Sequence, residues 1–187
     1  MLKRRRLLGA GLFAGLGAGI SLPTAAAEID LRRHGLVLLI RHASTDPGIG
    51  DPPGFRLEEC ATQRNLSAEG QAQARRLGPA LSQRGWVPQR VRSSAWCRCM
   101  DTGRLAFGNV EAWPALNSFF QGRDNEPAQT AELRRSLAAL SAGRIETWIT
   151  HQVNVAALTG EGVAMGEVLL LRGGNDEARV LHRLAPT

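Results

Sequence analysis

From Gly35 to Ile40 the chain is an unbroken apolar run, Gly-Leu-Val-Leu-Leu-Ile, which predicts a short strand buried on both faces. Residues 46–59 carry Pro47, Gly48, Gly50, Pro52, Pro53 and Gly54 and predict a loop. Ser67 can cap a following helix whose stripe is Ala74, Leu77 and Leu81, with Pro79 expected to kink or end it. A second strand is predicted at 90–93 and a helix at 97–107. Pro127 opens another helix, whose stripe is Leu133, Leu137 and Leu140. Strand-like Ile145–Thr150 leads into a short apolar helix, Val153–Leu158. Two closing strands follow at 166–171 and 178–184, turned by Gly173, Gly174 and Asn175. This alternation predicts an α/β three-layer sandwich, a mostly parallel central sheet flanked by helices, with the last two strands antiparallel at an edge.

The first 27 residues break that pattern. Lys3, Arg4, Arg5 and Arg6 precede an uncharged stretch, Leu7–Ile20, that is short for a membrane span. Ala25 and Ala27 suit a signal-peptidase cut before Glu28. The paired arginines followed by Leu7 and Leu8 resemble a twin-arginine export signal; an ordinary secretory signal and an uncleaved anchor are the other readings. Residues 1–27 are therefore expected to be a signal peptide, and 28–187 a single exported, periplasmic domain whose dealings with the membrane end at the export machinery.

The formal charge of +6 changes meaning once this segment is set aside, because 19 basic and 17 acidic residues remain. No broad basic face for nucleic acid is expected. Lys3 is the sole lysine, so an anion site in the mature chain must use arginine, histidine or backbone N–H groups.

In open α/β sheets ligands gather beyond the carboxyl ends of strands. Those ends carry Arg41 and His42, then Ser93 and Ser94 running into Cys97 and Arg98, and finally His151. Guanidinium forks match phosphate oxygens. A neutral imidazole can attack phosphorus, and a second can stabilise the charge that develops. The arginines supply the countercharge, so no metal or other cofactor is called for.

The segments Leu39–Thr45, Asn65–Ala74, Ser93–Thr102, Ile149–Gln152 and Gly166–Leu170 together resemble the histidine phosphatase superfamily, the phosphoglycerate mutase-like fold. The resemblance implies that His42 is the nucleophile and that Arg41, Arg98 and His151 bind the phosphate. It departs from the family at Ala43 and Ser44, where glycine and often glutamate stand. It departs again at the general acid: Leu116–Phe120 lacks a carboxylate, and Gln152 follows the second histidine. Glu126, Asp124, Asp51 and Glu161 are the candidate acids, with a helix cap as the rival role of Asp124 and Glu126. The implied activity is a metal-independent phosphomonoesterase using a phosphohistidine intermediate on a small phosphorylated substrate, with envelope phospho-sugars the expected class. A catalytically weak phosphate-ligand binding protein and a phosphotransferase or mutase are the alternatives.

Arg64, Arg92, Arg104 and Arg123 could widen the anion site, though surface roles are expected for them. The four tryptophans are expected in the core, with Trp96 near enough to Arg98 to line the pocket. An oxidising compartment favours a disulfide. Cys60 with Cys97 would tie the loop after His42 to the neighbour of Arg98; Cys60 with Cys99 is the alternative. Oligomeric state is not legible.

Overall fold

A computed structural model describes residues 33–174 and 177–187. The expected signal peptide and Asn175 of the expected turn lie outside the described residues. The elements, in chain order, are β1 (Leu36–Arg41), α1 (Ala68–Ser82), β2 (Arg90–Ser93), α2 (Cys97–Phe107), β3 (Glu111–Ala112), α3 (Glu126–Ala138), β4 (Ile145–Thr150), α4 (Gln152–Thr159), β5 (Val168–Gly174) and β6 (Glu177–Leu184). Short 3-10 turns occupy Cys60–Thr62, Pro114–Leu116 and Arg123–Asn125.

The strands form one sheet in the order β3-β2-β4-β1-β5-β6. The pairs β2/β3, β2/β4 and β1/β4 are parallel; β1/β5 and β5/β6 are antiparallel. β1 runs through the middle, and Leu36 to Ile40 are all buried. Successive strand side chains point to opposite faces, so one apolar run feeds two cores. Val37 and Leu39 join Leu133 and Leu137 of α3 and Val155 and Leu158 of α4. Leu36, Leu38 and Ile40 join Leu77 and Leu81 of α1 and Cys99 of α2. The result is the expected three-layer α/β sandwich.

Three local outcomes differ from expectation: Gly173 and Gly174, expected in the closing turn, are the last residues of β5 and pair with Ala178 and Glu177, and the other two concern α1 and β3. α1 neither stops nor breaks at Pro79 but continues to Ser82. The proline sits in the last turn, so its missing N–H removes a single bond near an end that frays anyway, and the Gln83 N–H closes the turn on the Pro79 carbonyl. The two-residue β3 was not foreseen; it carries no apolar pattern of its own and is held by pairing with Arg92 and Ser93.

The start of α1 fixes the backbone just beyond β1. Ser67 accepts the Gly70 N–H through its hydroxyl, and its own N–H donates to the Ser44 carbonyl. A Cβ on Gly70 would lie 1.7 Å from that carbonyl oxygen. Gly70→Ala is therefore expected to push α1 off the segment after His42 and cost about 3 kcal/mol, the upper end of overpacking costs. Urea unfolding that matches wild type would show the contact to be soft.

Candidate active site

β1, β4 and β2 are adjacent and parallel, so their carboxyl ends open on one edge of the sheet. There they place Arg41, His42 and His151 directly, and Arg98 one step into α2. All four line a cleft of about 470 Å³, together with Asp51, Arg64, Trp96, Gln152, Met165 and residues of the 48–55 and 118–122 loops.

His42 is held from both sides. Its N–H donates to the Thr150 carbonyl, and the Gly166 N–H donates to the carbonyls of Arg41 and His42. Its Nδ1 lies 2.9 Å from the Ala43 carbonyl oxygen. A carbonyl accepts only, so Nδ1 carries the proton and Nε2 the lone pair. Ala43 is pinned in turn, donating its N–H to Thr102 Oγ1, whose hydroxyl donates to the Arg98 carbonyl. Burial drives the His42 pKa down to about 3; the Ala43 hydrogen bond opposes this, and the charges of Arg98, Arg41 and Arg64 add to the fall. The imidazole is neutral at neutral pH.

His151 is buried at the start of α4, with Nε2 2.8 Å from Ser94 Oγ. Arg98 Nη2 lies 3.4 Å from its Nδ1. A guanidinium only donates, so Nδ1 accepts, and Nε2–H donates to Ser94. Burial first, then His42 and the nearby arginines, hold His151 well below the usual histidine range. Its ring stands edge-on to His42 and to Trp96.

Two buried neutral imidazoles make stability acid-sensitive. The unfolded imidazole takes up its proton as pH falls through about 6.5, whereas folded His42 resists protonation down to about 3. Stability is therefore complete above that window and declines within it. Between pH 7.5 and pH 5, His42 is expected to cost about 2 kcal/mol by linkage, with His151 adding in the same direction. Urea midpoints across that range check it; a flat profile would place charged imidazoles in the folded site.

Arg41 donates from Nη1 to the Val163 carbonyl at 2.8 Å. Arg98 is committed to Asp51: Nη1 to Oδ1 at 2.6 Å and Nη2 to Oδ2 at 3.1 Å, with both side chains about 5% exposed. Asp51 also accepts the Trp96 indole N–H and the Arg64 backbone N–H. Burial raises its carboxyl, but these donors and the Arg98 charge outweigh that and leave it below the usual range.

Of the other carboxylates weighed as acids, Glu126 pairs with Arg123 in the first turn of α3, Glu161 pairs with Arg183, and Asp124 is exposed. None of the three lines the cleft. Arg64 does, against the surface role expected for it, and its guanidinium donates to the Gly48 carbonyl. The local signal for it is weak: it stands three residues before the Ser67 cap that docks on Ser44. Arg92 and Arg104 are instead paired with Glu146 and Asp101. Trp148 and Trp86 are core residues, while Trp96 lines the cleft, its ring 5.9 Å from that of Phe55.

Cys60 is bonded to Cys97, and Cys99 is free and buried. The two helix cysteines differ in facing: Cys99 turns to the sheet, with Sγ 3.7 Å from the Thr150 carbonyl oxygen. Burial pushes its thiol up to about 12 against the lowering influence of Arg98 and Ser94. Among the described residues no group of three or more His, Cys, Asp or Glu is disposed to hold a metal ion, and no helix is long and apolar enough to cross a membrane.

No curated protein sequence matches the chain. Among solved structures, the protein histidine phosphatase SixA complexed with tungstate superposes with a TM-score of 0.56 at 15% identity, over 81% of this chain and 97% of that one. A phosphoserine phosphatase from Entamoeba histolytica in complex with 3-phosphoglyceric acid gives 0.58 at 12% identity, over 82% and 98%. A mutant of the Entamoeba histolytica phosphoserine phosphatase in complex with phosphoserine gives 0.59 at 10%, over 80% and 96%. At these identities the likeness is one of fold. The model of the histidine phosphatase superfamily (branch 1) matches residues 37–164, which span β1 to the loop after α4 and hold Arg41, His42, Arg98 and His151. The chain belongs to the histidine phosphatase superfamily.

Proposed function

We propose that the protein is a phosphatase of phosphate monoesters that works through a phosphohistidine at His42. The observation that carries this is the hydrogen bond from Nδ1 to the Ala43 carbonyl, which leaves the Nε2 lone pair of a neutral imidazole in a cleft lined by three guanidiniums. In the first step Nε2 bonds to phosphorus and the bond from phosphorus to the ester oxygen breaks. That oxygen takes a proton from solvent and leaves as an alcohol. In the second step water attacks the phosphohistidine and gives up a proton to solvent, the P–N bond breaks, and phosphate departs with His42 restored. Arg41, Arg98 and Arg64 supply countercharge to the phosphoryl oxygens, so the chemistry asks for no metal.

Phospho-sugars of the cell envelope are the proposed substrate class. Phe55 and Trp96 offer faces for the C–H surface of a sugar ring, and Ser118, Gln121 and Gln152 offer polar groups for hydroxyls. The Cys60–Cys97 disulfide supports export to an oxidising compartment.

A second reading, a phosphate-ligand binding protein with weak or no turnover, draws on Asp51. It is the one carboxylate among the cleft residues, and Arg98 keeps it ionised, so no protonated acid stands ready for a poor leaving group. Phosphate release by the purified full chain in EDTA separates the two. An aryl phosphate, whose leaving group needs little protonation, is expected to turn over faster than a sugar phosphate. Stoichiometric binding without release from either would favour the second reading.

A further inference from the structure

All four η hydrogens of Arg98 are directed at protein acceptors. Nη1 donates to Asp51 Oδ1 at 2.6 Å and to the Arg64 carbonyl at 3.3 Å; Nη2 faces Asp51 Oδ2 at 3.1 Å and His151 Nδ1 at 3.4 Å. Nε is buried without a partner. With the Nε–H buried away from the cleft, a phosphoryl group entering it finds no uncommitted η donor on this guanidinium unless one acceptor withdraws. His151 is a buried ring fixed by Ser94, and the Arg64 acceptor is backbone. Asp51 alone of the three accepts through a side chain carried on a loop of the cleft wall.

That loop runs between fixed ends. Thr45 bridges to Leu66 before it, and Cys60 is bonded to Cys97 after it. Between them Gly48, Gly50 and Gly54 take positive φ, and Pro47, Pro52 and Pro53 interrupt regular pairing. The tip is held by the contacts of Asp51 with Arg98, Trp96 and Arg64, and by the Arg64 guanidinium on the Gly48 carbonyl. Ile49, next to the tip, is 91% exposed. A carboxylate and a phosphate engage a guanidinium fork through the same two-point geometry.

We propose that Asp51 is an internal stand-in for the substrate phosphate: its carboxylate caps Arg98 until an anion arrives and then gives way to a phosphoryl dianion, moving the 46–59 loop as it does so. Charging the phosphate site and opening the cleft wall are then one event. Asp51 also sets a threshold, because an anion must displace a bidentate carboxylate to reach Arg98. The inference rests on the reading of Arg98 as a phosphate ligand.

Inorganic phosphate binding to the full chain tests it, measured by calorimetry on wild type, Asp51→Ala and the near-isosteric Asp51→Asn, each confirmed folded by its melting transition. Removing the competing carboxylate is expected to lower the phosphate Kd by about tenfold, or 1.4 kcal/mol. In wild type, phosphate is expected to speed amide hydrogen exchange across 46–59 and to change tryptophan fluorescence as the Trp96 N–H loses its acceptor. That fluorescence change should vanish in Trp96→Phe. If Asp51 merely holds Arg98 in place, both variants bind phosphate equally or more weakly, and the proposal falls. Failure of every form to bind phosphate would overturn the reading of the site itself. Tighter binding in a protein without turnover would support the exchange while overturning the phosphatase.

Discussion

His42→Ala is expected to stop phosphate release, a loss on the order of 10⁴–10⁶-fold by comparison with nucleophile removal elsewhere, while inorganic phosphate still binds close to wild-type strength. The two halves of this expectation have different causes. The guanidiniums of Arg41, Arg64 and Arg98 remain, so the anion keeps its countercharge. The lone pair that forms the P–N bond is gone, and no neighbour can replace it. His151 is the nearest imidazole, at 5.5 Å between ring centroids, but its Nε2 hydrogen-bonds Ser94 and its Nδ1 faces Arg98. Labelling gives an independent readout: incubation with a labelled phosphomonoester followed by alkaline quench should trap an acid-labile phosphoenzyme in wild type and none in the variant. Turnover within tenfold of wild type in His42→Ala would move the chemistry to another residue.

The parts of this site that the sequence discloses are those delivered by regular structure. Arg41 and His42 end a short apolar run that reads as a buried strand, His151 ends the strand-like Ile145–Thr150, and Arg98 follows the 90–93 strand by a short step into a helix. Once the sheet is parallel, these residues must meet at one edge. What escapes the sequence depends on loops. Asp51 and Arg98 are 47 positions apart, and their pairing follows from a path set by three glycines at positive φ, which no periodicity encodes. Arg64 has the same difficulty: it enters the cleft because the cap at Ser67 docks on Ser44, a contact between two backbones that Gly70 alone makes room for. Helical phase separates Cys97 from Cys99, but only the packed fold decides that Cys99 faces the sheet and Cys97 faces Cys60. Asp51, foreseen as a proton donor, emerges with its carboxylate committed to the residue expected to hold the phosphate.

Arg98→Ala is expected to lower kcat/KM by about 10²–10³-fold, the scale for removing a preorganised donor to developing charge, and to destabilise the fold as well. The second effect needs its own control. Asp51 is about 6% exposed in the pair, so deleting Arg98 leaves a buried carboxylate with only the Trp96 indole and the Arg64 N–H. Breaking one side of a buried pair costs about 3–5 kcal/mol. A drop in activity could then arise from unfolding alone. The double variant Asp51→Asn with Arg98→Ala distinguishes the two, because it removes the stranded charge without restoring a donor to phosphate. Its urea midpoint should recover part of the loss, and its activity should stay low. Arg98→Lys should keep stability nearer to wild type yet recover little rate, since an ammonium cannot supply the planar fork. If activity returned together with stability in the double variant, Arg98 would be a structural partner of Asp51, and phosphate recognition would rest on Arg41 and Arg64.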